Sequence, residues 1–311
     1  MADELNPKPE STVHRIFVGP RGIRAGWSIG IFIILLAVIA SVFVFPTQLI
    51  LRHLNLVMDG TLPFPTGAIE LAMFLGVLGA SMVMTRIERK PLISYGLDGP
   101  RRFINFLYGL LFGFIALSAL VGAMMLFGFL HFDGQQIFGW RAVKYALAWA
   151  GVFVLVGLFE EYLMRGYLFA TLSRGIGFWW AAIILSVTFG CMHLGNTGES
   201  PVGIFSAAAI GLIFCVSLWY LRTLWWAIGF HAAWDWGESY FWGTADSGLV
   251  SKGHLFGAQP QGNILWSGGS TGPEGSMLIV FLLIIVAVLM WAAWRNKRAV
   301  TAPAAEEGMS S

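Results

Sequence analysis

The stretch Trp27–Ile50, WSIGIFIILLAVIASVFVFPTQLI, holds no charged residue from end to end. A helix rises about 1.5 Å per residue, so roughly 20 apolar residues cross a bilayer core. This stretch therefore reads as a transmembrane helix. It is too long for the apolar region of a signal peptide, has no small-residue cleavage site, and follows about 26 mostly polar residues. Working outward, seven further apolar stretches are expected to span: 67–85, 103–130, 141–172, 177–193, 202–221, 224–240 and 277–294. The fold class expected is all-α, a polytopic membrane bundle of about eight transmembrane helices.

Composition agrees. Hydrophobic residues make up 57% of the 311 and charged residues 12%, with a mean hydropathy of +0.72. A soluble domain carries about 25% charged residues, so a water-facing surface is short of charge. Formal net charge is +2, which gives no case for a nucleic-acid partner. Cys191 and Cys215 both fall in apolar stretches without a C-x-x-C partner and read as small buried hydrophobes.

Cationic residues set the expected orientation. Lys8, Arg15, Arg21 and Arg24 precede the first span, and Arg86, Arg89, Lys90, Arg101 and Arg102 flank the loop after the second. Arg174, Arg222, Arg295, Lys297 and Arg298 follow the fourth, sixth and eighth. The opposite loops carry few, such as Arg52 and Lys252, while Arg141 and Lys144 run against the trend. Both termini are thus expected to be cytoplasmic in a plasma-membrane protein. The expected organisation is an N-terminal tail over 1–26, a membrane domain over 27–294 and a C-terminal tail over 295–311. The small, polar residues after Arg298 suit disorder, and 241–275 reads as a glycine-rich loop closing on Ser267–Gly275.

Ionisable residues inside spans are costly and mark candidate sites. The fourth span carries Glu160-Glu161-Tyr162-Leu163-Met164-Arg165. Glu161 and Arg165 are spaced i,i+4 and can pair, whereas Glu160 points elsewhere and is suited to exchange a proton. The bland alternative is two carboxylates that only pack the helix through Arg165. The fifth span ends in Phe189-Gly-Cys-Met-His193, and a lone histidine there is as readily a packing residue. The seventh holds His231-Ala-Ala-Trp-Asp235, which puts an imidazole and a carboxylate on one helical face. Glu238 follows a turn later and carries less weight. By helical rise, Glu160, His193 and His231 lie roughly 18, 24 and 10 Å into the membrane, near its middle. The set suits hydrolysis by a water-activating pair with an oxyanion-stabilising pair. It equally suits a metal such as zinc on His193, His231 and Asp235. The soluble metalloprotease pattern H-E-x-x-H is absent.

These motifs resemble the CPBP family, which groups CAAX prenyl endopeptidases with bacteriocin-processing and immunity-associated membrane proteins. Its pattern E-E-x-x-x-R, F-x-x-x-H and H-x-x-x-N is matched in order by Glu160-Glu161 with Arg165, Phe189 with His193, and His231 with Asp235. The resemblance covers about 141–240, and Arg89–Leu97 and Gly272–Gly275 also look similar to bacterial members. It implies an endopeptidase acting on a membrane-associated or prenylated protein or peptide. In it Glu160 and His193 activate water, while His231 and residue 235 stabilise the oxyanion. Asp235 departs from the endopeptidases' Asn, since an ionised carboxylate repels an oxyanion instead of donating to it. Readings from other classes are a proton-coupled transporter and a non-proteolytic scaffold. Orientation is testable by impermeant thiol labelling of intact cells: an introduced Ser247→Cys should react and Ser94→Cys should not. The reverse pattern would invert the topology.

Overall fold

A computed structural model describes residues 16–19, 22–196 and 198–295. The tail residues before 16 and after 295 lie outside the described residues. Among the described residues, six helices are long and apolar enough, by length and composition, to cross a membrane. They are α1 (Ala25–His53), α2 (Pro63–Glu88), α3 (Arg102–Leu126), a 38-residue helix Gly139–Ile176, α6 (Phe178–Met192, extended by a 3-10 turn to Gly195) and α7 (Pro201–Leu221). The long helix divides into α4 (Gly139–Tyr162), a π turn Leu163–Tyr167 and α5 (Leu168–Ile176). The remaining two expected spans are helical but shorter: α8 (Trp225–Asp235), which runs on as a π turn Trp236–Trp242, and α9 (Leu278–Trp294). The chain is a polytopic helical bundle.

Local sequence sets several boundaries. Pro63 opens α2 and Pro201 opens α7, where proline's missing N–H is no loss. The Ser200 hydroxyl accepts from the Gly203 N–H and caps α7. Large apolar side chains such as Ile34, Phe45, Phe112, Val187 and Ile285 are exposed along the helices. That is the surface a bilayer covers.

Two expectations are corrected. The third span stops at Leu126 instead of residue 130, and Leu130–Gln135 is a strand paired antiparallel with Phe256–Pro260. The loop expected at 241–275 therefore contains a strand, a one-turn helix Ile264–Ser267 and a 3-10 turn Pro273–Gly275. Backbone groups tie this layer down: Lys252 N–H donates to Thr61 O, and the Trp149 indole N–H donates to Lys252 O. Segments following α1, α3, α6 and α8 thus gather at one end of the bundle. At the other end, Leu224 N–H donates to Gly96 O and the Trp225 indole to Leu97 O. There the Glu88 carboxylate accepts from Ser28, Tyr167 and Arg174, joining α1, α2 and α5.

The helices approach closely where glycine faces backbone. A Cβ on Gly109 would strike Trp226 O, one on Gly113 would strike Phe230 O, and one on Gly229 would strike Phe106 O. Glycine on both helices lets α3 and α8 touch backbone to backbone, the means by which membrane helices gain contact without a hydrophobic drive. This places α8, bearer of His231 and Asp235, at the centre. We expect Gly113→Ala to destabilise the detergent-purified protein by about 1–3 kcal/mol. Gly122→Ala, on the same helix with nothing near its added Cβ, should change the melting temperature little. Equal losses from the two would show that the crossing tolerates a methyl group.

Candidate active site

Glu161 is the centre of the polar interior. Its Oε1 accepts from Arg165 Nη1 at 3.1 Å and from His231 Nδ1 at 3.0 Å, so α4 and the π turn after it are tied to α8. The Glu161 and Arg165 side chains are fully buried. The guanidinium lies over the Phe189 ring, 4.6 Å from its centroid, and within 5.8 Å of that of Phe214. Gly211 leaves the room, because a Cβ there would meet Arg165 Nη2. Phe189 therefore supplies an aromatic face to a buried cation. The helix departs from α-geometry at this point, with Gly166 at φ −83° and ψ −117°. π turns inside helices recur at functional sites.

His231 has its Nδ1–H committed to Glu161, a carboxylate that only accepts. Its Nε2 faces two more carboxylates, Glu160 Oε2 at 3.6 Å and Asp235 Oδ2 at 3.5 Å. The ring lies between Phe189 and Phe214, edge-on to the first and stacked on the second. His193 stands at the turn that ends α6, with Nδ1 2.9 Å from Phe189 O. A carbonyl oxygen cannot donate, so Nδ1 carries the hydrogen, and in the neutral ring Nε2 is then the acceptor. Glu160, expected to lack a local partner, has His231 beside it.

Glu160, His193, His231 and Asp235 all line one cavity of about 460 Å³. They come from α4, the end of α6, and α8. Sequence reading missed three carboxylates on the same wall: Glu70 of α2, Asp246 and Glu274. Glu70 was legible as an acid within a span, and its Oε2 is buried without a hydrogen-bond partner. Asp246 and Glu274 lie in the segment read as loop, where an acid draws no notice. Glu274 accepts from the Trp234 indole at 3.0 Å and Ser247 Oγ at 2.9 Å, and Asp246 accepts from Ser239 Oγ at 2.9 Å. Burial, and then the charge of Glu274, push Asp246 up to about 7.

His193, His231 and Asp235, the set expected for zinc, do not form a tight group of ligand atoms among the described residues. Among the described residues, the group of three whose ligand atoms all lie within 4.8 Å of one another is Glu238, Asp246 and Glu274. A tetrahedral zinc site with bonds of about 2.0–2.2 Å needs its ligand atoms closer than that.

A predominantly helical membrane bundle with acids and imidazoles around one cavity defines the class: an integral membrane protein with the groups for hydrolysis. Comparison with protein families is more particular. Residues 142–237 match the family described as type II CAAX prenyl endopeptidase Rce1-like. The matched segment runs from α4 through α8 and contains all three motifs, and the match is consistent with the CPBP resemblance. At the level of the family it supports a CAAX-type intramembrane protease, a hydrolase. No curated protein and no solved structure matched the chain.

The buried triad of Glu161, Arg165 and His231 yields a stability test. Removing one partner leaves an uncompensated charge in the interior, which typically costs about 3–5 kcal/mol. Glu161→Ala and Arg165→Ala should each lower the melting temperature in detergent sharply, whereas Glu160→Ala should not. Similar losses from all three would remove the distinction between a tying and a free carboxylate.

Proposed function

We propose that this protein is an intramembrane endopeptidase that hydrolyses a peptide bond in a membrane-associated protein or peptide, prenylated substrates included. The observation that carries this reading is the convergence of Glu160, His193, His231 and Asp235 on one cavity inside the bundle. Glu160 takes a proton from water as the oxygen attacks the scissile carbonyl. The free Nε2 of His193 accepts the water's other hydrogen and orients it, since Nδ1 is held by Phe189 O. The carbonyl becomes a tetrahedral oxyanion, and the C–N bond breaks as Glu160 returns its proton to the leaving amine. Overall, one water is added across one amide.

His231 faces the oxyanion with Nε2. Because its Nδ1–H already donates to Glu161, donation from Nε2 requires the doubly protonated ring, and Glu160 and Asp235 supply countercharge at 3.6 and 3.5 Å. Asp235 then acts through His231, holding its edge toward the substrate, rather than by touching the oxyanion. This accounts for a carboxylate where the resembling endopeptidases have an amide. The same reading keeps the protein in the cell membrane with both termini cytoplasmic. The end of the bundle that gathers 243–276 then faces away from the cytoplasm.

Glu160→Ala and His193→Ala should each abolish cleavage, by at least about 100-fold, with melting temperatures near wild type. The assay compares membrane peptides from cells carrying wild type or Glu160→Ala, then cleavage of the accumulating peptide by purified protein. Persistence of the same cleavage pattern in Glu160→Ala would sink the assignment. Asp235→Asn should lose rate only in part, within about tenfold, as expected for a positioning residue. Full loss of activity together with loss of stoichiometric zinc from the wild-type protein would show that a metal does the work instead.

A further inference from the structure

Glu238, Asp246 and Glu274 meet from three parts of the chain. Glu238 belongs to the π turn after α8, Asp246 to the loop beyond it, and Glu274 to the 3-10 turn before α9. One carboxylate oxygen of each lies within 4.8 Å of the other two. The donors near them are neutral: Ser239 to Asp246, and Trp234 and Ser247 to Glu274. None of the residues lining the adjoining cavity is Lys or Arg.

A separate observation concerns Glu238 alone. It is fully buried, and neither carboxylate oxygen has a hydrogen-bond partner. Buried polar groups are ordinarily hydrogen-bonded, and a buried charge left unpaired is far more costly than a polar group. Here the group points instead at two further carboxylates. Such a side chain is stable only with a counterion or a proton between it and its neighbours.

We propose that Glu238, Asp246 and Glu274 bind a divalent cation of calcium's size. Three oxygens within 4.8 Å of one another can share a centre no more than about 2.8 Å from each, within reach of calcium–oxygen bonds of about 2.3–2.6 Å. Magnesium, at about 2.0–2.1 Å with rigid octahedral demands, requires a larger collapse. An all-oxygen set is also the wrong chemistry for a thiolate- or imidazole-seeking metal. Asp246 and Glu274 border the cavity, which gives the ion and its remaining waters a way in. The bound cation would fasten the 243–276 segment to the end of α8, over the cavity that holds His231. The site does not depend on the peptidase reading.

The test uses full-length protein in detergent, stripped with a chelator and titrated with calcium chloride or magnesium chloride. At 1 mM, calcium should raise the wild-type melting temperature by roughly 5 °C, and magnesium by less. Glu238→Gln and Asp246→Asn should abolish the rise. Terbium provides a second readout in the wild type alone. Trp234, hydrogen-bonded to Glu274, should sensitise terbium emission that calcium displaces, and Trp234→Phe should dim that emission yet keep the calcium-induced rise. A wild type that shows neither a calcium-dependent rise nor calcium-displaceable emission overturns the site. So does a rise that survives in both carboxylate variants. Stability that climbs with acidification and ignores calcium would show that the carboxylates share protons instead.

Discussion

The interior of this protein depends on one carboxylate oxygen. Glu161 Oε1 receives both Arg165 Nη1 and His231 Nδ1, and with it the fourth and seventh expected spans are locked in rotation and depth. A buried ion pair is rarely a net gain over apolar packing, but it is specific, because every alternative leaves a charge stranded. Here that specificity fixes the tautomer and direction of His231. With Nδ1 spoken for, only Nε2 faces the cavity. Phe189 and Phe214 complete the arrangement, flanking both the guanidinium and the imidazole. The same lock explains why two adjacent acids behave differently. Glu161 is held in the buried ion pair, and Glu160, one residue back and turned about 100° around the helix, lines the cavity.

Except for His231, a turn inside α8, the candidate residues sit where a regular helix gives way. Glu160 and Glu161 end α4 just before the π turn at Leu163–Tyr167, His193 ends α6 at a 3-10 turn, and Asp235 ends α8 before a second π turn. In a hydrocarbon environment non-helical backbone survives only where protein or a cavity covers it. The departures from helix and the cavity therefore occur together. The close α3–α8 crossing at Gly109, Gly113 and Gly229 supplies the rigid wall against which this irregular region is built.

Much of this was legible in the sequence, for identifiable reasons. Helices at all eight expected positions follow from apolar runs, because a membrane demands length and hydropathy and little else. The Glu161–Arg165 pair follows from i,i+4 spacing, a local rule. What escaped was non-local or unlike a membrane signal. Nothing along the chain says that His231, seventy residues on, shares the Glu161 oxygen. The Leu130–Gln135 strand hid in the tail of an apolar run, and its partner Phe256–Pro260 hid in a glycine-rich loop. Glu70 escaped because it stood alone, without a neighbouring motif. No single stretch of sequence shows which acids gather across the cavity, and among the described residues the three whose ligand atoms all lie within 4.8 Å of one another are Glu238, Asp246 and Glu274.

Charge around the cavity links its two regions. Glu70, Glu160, Asp235, Asp246 and Glu274 line it, and against these five carboxylates stand two imidazoles and no Lys or Arg. Five full negative charges in a space of about 460 Å³, with hydrocarbon nearby, would raise one another's energy steeply, because low dielectric amplifies repulsion as much as attraction. The excess must be met by protons or by cations. Near α4 His231 meets it, set between Glu160 and Asp235. Near the 243–276 segment the donors are a tryptophan and serines, which offer hydrogen bonds but no charge. A divalent cation among Glu238, Asp246 and Glu274 supplies what that side lacks. It also lowers the negative field felt at Glu160 across the cavity. The acid-rich roof and the His231 side of the cavity are thus one electrostatic system, coupled through the cavity they share.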